Sequence, residues 1–174
     1  NVFAIPKLLY ILRTAPCTGS SELSSYDLTL KSALTSLLNI DLSLHCWTQA
    51  SLPIRWGGIG VCCANRLAPS AFLASAAGCS ELLSHILPDW LQSLKDPAVT
   101  FAEKAWMEMC DKVPFTGVEA GVQRKWDDEG CNKMCLGLKE NADDRTMSRM
   151  LAVCSRDSSS WLSAIPSASL GLNL

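Results

Sequence analysis

Apolar residues recur along most of this chain with the spacing of an α-helix. Behind Pro6, whose missing N–H suits a first helical turn, Leu8, Leu9, Ile11 and Leu12 form an apolar face that ends near Pro16. After a Ser/Gly loop, Leu23, Tyr26, Leu30, Ala33, Leu34, Leu37 and Leu38 keep helical period, the clearest helix in the sequence. Residues 41–61 lose the period. Pro53 and Trp56-Gly57-Gly58-Ile59-Gly60 suit neither helix nor long strand and predict a structured loop. The Ala- and Ser-rich run from Leu67 to Ala77 predicts a buried helix that a neighbour can approach closely. Leu82, Leu83, Ile86, Leu87, Trp90, Leu91 and Leu94 continue the period, kinked or divided at Pro88.

Asp96-Pro97 is the best boundary, because the charge balance changes sign there and Thr100-x-x-Glu103 has the form of a capping box opening a new helix. Helices are predicted at about 100–113, 118–138 and 143–155, the last with Met147, Met150, Leu151 and Cys154 on one face. Asp157 is expected to cap a short turn carrying Trp161 and Leu162, and strand signals are confined to the alternating C-terminal leucines. The expected fold is all-α: an irregular helical bundle with a Gly-rich structured loop, built as one domain or as two small helical lobes. The division would fall into 1–96 and 97–174.

Composition supports a folded chain, with 48% hydrophobic and 18% charged residues. The net charge of −2 argues against a whole-chain basic face for nucleic acid. Its distribution is less neutral. Up to Ser80, Lys7, Arg13, Lys31, Arg55 and Arg66 outweigh Glu22, Asp27 and Asp41, so the acidic balance lies entirely in the remainder. Nine cysteines without a secretory signal or a disulfide-scaffold spacing imply a reducing, intracellular setting, with nucleus and cytoplasm not distinguished. No apolar run reaches the roughly 18 residues a membrane span needs, so no membrane partner is expected. An opening without Met and an apolar end predict a piece of a longer chain.

Candidate chemistry is sparse. Cys131-x-x-x-Cys135 lies one helical turn apart, and His45-Cys46 and Cys62-Cys63 offer further ligand types, but no second Cys pair completes a zinc site. His45 and His85 are the only imidazoles, and His45 points away from adjacent Cys46 in any regular structure. Adjacent acids on a helix do not converge on one ion, so Asp127-Asp128-Glu129 and Asp143-Asp144 read as capping or solvated groups. No catalytic residue, metal or cofactor is therefore expected in this chain. Gly57-Gly58-Ile59-Gly60 lacks the Gly-Lys-Ser/Thr of a phosphate loop. It is read either as a tight turn packing Trp56 or, with Arg55 and Trp56, as a place where a nucleic-acid backbone comes close. Lys7, Tyr10 and Arg13, spaced three apart, line one side of the first helix, as a solvated face or a nucleic-acid face.

Pro6-Lys7-Leu8-Leu9-Tyr10-Ile11-Leu12-Arg13, Trp47-Thr48-Gln49-Ala50-Ser51-Leu52-Pro53, Gly57-Gly58-Ile59-Gly60 and Leu67-Ala68-Pro69-Ser70-Ala71-Phe72-Leu73-Ala74-Ser75 resemble the region after the polymerase palm in non-long-terminal-repeat retrotransposon proteins. Trp126-Asp127 and Trp161-Leu162-Ser163-Ala164-Ile165-Pro166 are similar to the stretch that leads toward a nuclease domain in some of them. The resemblance implies a thumb over 1–96, gripping a template–primer duplex by shape and phosphate, and a linker over 97–174 leading toward a further domain. Polymerase catalysis would lie outside this chain, since neither Asp-Asp pair follows the Tyr-x-Asp-Asp pattern. The implied partners are an RNA–DNA or DNA duplex, bound weakly by the isolated chain, and the rest of the parent polypeptide. Lys7, Tyr10, Arg13, Arg55, Trp56, Gly57, Gly58 and Arg66 are the implied contacts. Related sequences carry Arg-Ser after the glycine turn where this one has Cys62-Cys63, a loss that fits a decayed copy and that Arg66 would offset in part. The competing expectation is a helical protein-interaction module.

Overall fold

The computed structural model describes residues 4–92 and 94–155, and among these it contains eight α-helices, two 3-10 turns and no strand. They fall into two compact units, one of 4–42 with 62–133 and the other of 43–61 with 134–155. The predicted Asp157 turn and the C-terminal leucines lie outside the described residues.

In the first unit α4 (Ala64–Ile86) is the central helix, and α1 (Ala4–Thr14), α2 (Ser21–Leu38), α6 (Pro97–Cys110) and the 3-10 turn Gly117–Gly121 all pack on it. Its small side chains permit this. Ala64, Ala68 and Ala71 form one buried cluster with Leu12 of α1 and Leu23 of α2. Further along, Leu73 and Ala74 meet Ala102, Trp106 and Cys110 of α6, together with Ala120 and Trp126. Trp106 and Trp126 cross edge to face at 4.8 Å, Phe115 stands 5.1 Å from Trp126, and each indole N–H donates to a carbonyl, Trp106 to Trp126 and Trp126 to Ala120. Pro69 lies inside α4 and is buried without ending it.

The packing of α4 on α6 crosses residue 96, so the compact units do not follow the expected Asp96-Pro97 boundary. That dipeptide instead starts α6. Asp96 is its N-cap, accepting from Ala98 N at 2.8 Å, and Thr100 sits inside the first turn with its hydroxyl donating to the Asp96 carbonyl, which corrects the predicted Thr100-x-x-Glu103 box. Pro88 divides the segment as its chemistry requires: α4 stops at Ile86, and the short α5 (Asp89–Gln92) follows. The apolar stripe of α2 is buried only in part. Leu23 is covered, whereas Leu37 is 81% exposed.

The second unit contains α3 (Leu44–Ser51), a 3-10 turn (Ile54–Trp56), the glycine turn, α8 (Asp144–Val153) and the end of α7 (Gln123–Glu140). The predicted loop over 41–61 is thus helical over α3, started by Ser43, whose hydroxyl accepts from Cys46 N at 3.2 Å. Asp143 caps α8 through Thr146 N. Met150 is buried on the predicted apolar face of α8, with Leu151 left 56% exposed.

Candidate nucleic-acid interface

Helix α1 places Lys7 and Tyr10 in solvent because Leu12, on its other side, is fully buried in the cluster on α4. Arg13 shares their side but is engaged. Its Nε and Nη2 donate to Gln123 Oε1 of α7 at 2.9 and 2.6 Å. Gln123 in turn donates to Asp127, which also accepts from the buried Ser70 hydroxyl of α4. Burial raises the Asp127 carboxyl above the usual carboxylate range, with the bonds from Ser70 and Gln123 and the charge of Arg13 opposing the rise. Asp127 is therefore neither a helix cap nor a solvated acid, contrary to its sequence reading; it is held between α4 and α7 because α7 turns that position inward.

Arg66 is half-buried in the first turns of α4, and its positive charge favours the thiolates of Cys62 and Cys63. Burial is the larger effect and pushes both thiols up. The start of α4 is itself an anion site that the protein fills. Asp27, a buried acid on α2, accepts from Ala64 N at 2.6 Å and Asn65 N at 3.1 Å, and the Cys63 thiol and the Asn65 amide also donate to it. Cys63 at the N-cap makes no side-chain cap of its own, so the carboxylate of another helix supplies what the helix end lacks.

In the second unit the glycine turn folds back on the end of α3. Every N–H from Trp56 to Val61 donates within this segment: Trp56 and Gly58 to Pro53 O, Gly57 to Ile54 O, Ile59 and Val61 to Ala50 O, and Gly60 to Leu52 O. Such a turn presents no row of backbone donors to a phosphate. Gly58 is buried, and a Cβ there would overlap the Leu52 carbonyl oxygen and come within 2.5 Å of the Gln49 carbonyl oxygen. Gly57 has φ +80°, and a Cβ there would meet Val153 at 2.8 Å and Cys154 at 2.9 Å. The glycines are required by the turn's own packing. Trp56 is half-buried, its indole nitrogen enclosed and without a hydrogen-bond partner among the described residues, while Arg55 is exposed.

The predicted contacts thus separate, with Lys7, Tyr10, Arg13 and Arg66 in the first unit and Arg55, Trp56, Gly57 and Gly58 in the second. Sequence reasoning passed over Asp27 and Ser70, although an acid four residues after core-facing Leu23 and a serine within an alanine stripe were the available signals. Among the described residues no group of three or more His, Cys, Asp or Glu side chains could hold a metal ion. Cys131 and Cys135 are buried, and no described helix is long and apolar enough to cross a membrane. No protein-family model matches this chain, and comparison with curated proteins and with solved structures finds no match.

Proposed function

We propose that this chain is a non-catalytic helical segment of a retrotransposon-type RNA-directed DNA polymerase, and that it holds the template–primer duplex through the outer face of α1. The observation that carries this reading is the pairing of exposure with anchorage. Lys7 and Tyr10 stand in solvent on a helix whose opposite side is fixed on α4 through buried Leu12, so a cation and an aromatic ring are offered to a phosphate backbone from a rigid support. Arg55 is an exposed cation of the second unit, and the glycines serve the turn that carries it.

The test is a salt titration of RNA–DNA hybrid binding by the full chain. With Lys7, Arg13, Arg55 and Arg66 as the cations, the slope of log affinity against log salt should be no steeper than roughly −3 to −4. Lys7→Ala should flatten it by about one unit at unchanged thermal stability. Identical slopes, or no binding at low salt, would reject the duplex reading. A second reading, a helical protein-interaction module, is favoured by a specific observation: Leu82, Ile86, Trp90 and Leu94 are each more than 60% exposed.

A further inference from the structure

Two thiols meet inside the second unit. Cys135, near the end of α7, is only 2% exposed. Cys154 is the residue at which α8 stops; its N–H donates to the Met150 carbonyl at 3.0 Å, which fixes its backbone, and its side chain is half-buried. The two sulfurs are hydrogen-bonded to each other. The Cys154 sulfur is located from a second direction as well, since a Cβ added to Gly57 would come within 2.9 Å of it. It therefore touches Cys135 of α7 and lies against the backbone of the glycine turn, all within one compact unit.

Thiols in hydrogen-bond contact need only a small approach to reach the S–S bond length of about 2.05 Å. Cys154, at a helix end, has the backbone freedom to make it. Cys131 is the poorer partner for Cys135, because residues four apart on one helix hold their Cβ atoms about 5–6 Å apart, wider than the about 3.5–4.5 Å that a disulfide requires. Burial pushes the Cys154 thiol up and Cys135 adds to the rise, with Lys139 of α7 opposing it, so the pair rests as two protonated thiols and reacts more slowly than exposed Cys46. We infer that Cys135 and Cys154 form a redox modification site, at which a small disulfide such as oxidised glutathione closes a reversible staple from α7 to the end of α8 against the glycine turn. Cys154, the more accessible thiol, loses its proton to water and its sulfur attacks the small disulfide, forming a mixed disulfide and releasing one small thiolate, which takes up a proton. Cys135 then loses its proton, attacks the Cys154 sulfur and displaces the second small thiolate. Two protein thiols are oxidised and one small disulfide is reduced to two thiols. The inference is independent of duplex binding and of the interaction-module reading.

The test is incubation of the dilute full chain with oxidised glutathione, quenching with N-ethylmaleimide, and mass spectrometry of the unreduced tryptic peptides. Cleavage after Lys133, Lys139 and Arg149 separates Cys131, Cys135 and Cys154, so the staple is read as peptide 134–139 joined to peptide 150–156, lighter by two hydrogens than the two free thiols. Exposed Cys46, carrying glutathione, shows in the same sample that the oxidant has acted. Mapping of the wild-type chain needs no variant. Cys135→Ser should stop the reaction at a glutathione adduct on Cys154, and Cys154→Ser should leave the buried Cys135 a thiol. Because the staple closes the loop 135–154, the oxidised chain should melt about 5–10 °C above the reduced one, and excess reduced glutathione should abolish the difference. No joined peptide after prolonged incubation with Cys46 fully modified, a bridge from Cys135 to Cys131 instead, or a stapled chain that melts no higher than the reduced one would overturn the inference.

Discussion

Replacing Gly58 by alanine adds one methyl group where the structure has no room for it. The new Cβ would overlap the Leu52 carbonyl oxygen and press on that of Gln49, and both are backbone atoms at the end of α3 that cannot rotate aside. Relief requires the turn to lift off α3, which stretches or breaks the bonds from Ile59 and Val61 to Ala50 and from Gly60 to Leu52, now 2.9 to 3.2 Å long. Overpacking a rigid site costs about 1–3 kcal/mol, and each backbone bond lost about 0.5–1.5 kcal/mol. A total of about 3–5 kcal/mol is therefore expected, a large share of the about 5–15 kcal/mol that stabilises a domain. Gly60→Ala is the control. Its φ of +74° strains an alanine, but no atom lies within 4 Å of the added carbon, so the cost should be only about 1–2 kcal/mol. Urea unfolding followed by tryptophan fluorescence reports both units, through Trp106 and Trp126 in the first and Trp47 and Trp56 in the second. A Gly58→Ala chain as stable as wild type, or a Gly60→Ala chain that is the more damaged, would refute the reasoning.

Other consequences are as specific. Asp27→Ala should cost about 2–3 kcal/mol in denaturant unfolding, because it leaves the N–H of buried Ala64 and its neighbours at the start of α4 without an acceptor; a neutral result would show that water replaces the carboxylate. Asp127 has its folded pKa raised above the unfolded value, chiefly by burial, so the folded state keeps this proton longer and the contribution falls as pH rises. The stability of wild type relative to Asp127→Asn should accordingly decline from about pH 4 upward and level off above the raised value; a difference that grows with pH would contradict the burial of this group. In timed alkylation mapped by mass spectrometry, exposed Cys46 and Cys79 should label first. Cys110, buried and pushed up to about 11 mainly by desolvation and then by Glu129, should label late. Equal rates for Cys46 and Cys110 would count against the packing of α6.

Most helices were legible because periodicity and local chemistry agree at them. Proline fixed the start of α1 and the break between α4 and α5, and Asp143 had the cap position that α8 uses. Helix α3 was not legible by the same rule, since its eight residues are too few to show a period and the glycines next to it dominated the reading; Ser43 at its N-cap was the usable signal. The interface was less legible than the fold. The charge of Arg13 is a property of its sequence, but its bond to Gln123, 110 residues away, is a property of packing. The same holds for Asp27, whose role appears only when α2 and the start of α4 are brought together. Spacing along one helix shows which side a residue takes; it does not show what the other helices place there.

The composition of the core explains why this chain keeps so much apolar surface. Helix α4 buries Ala64, Ala68, Ala71 and Ala74, with Ser70 among them, and this stripe of small side chains is what allows α1, α2 and α6 to approach it. Each alanine removes little area from water compared with a leucine, so the close packing gains backbone proximity at the expense of hydrophobic burial. Several large side chains stay outside: Leu28 and Leu37 on α2 are 68% and 81% exposed, and Leu82, Ile86, Trp90 and Leu94 are each more than 60% exposed. Burial is thus shared between the alanine stripe of α4 and a few large residues, among them Leu12, Leu23, Leu73, Trp106 and Trp126, while other leucines stay at the surface.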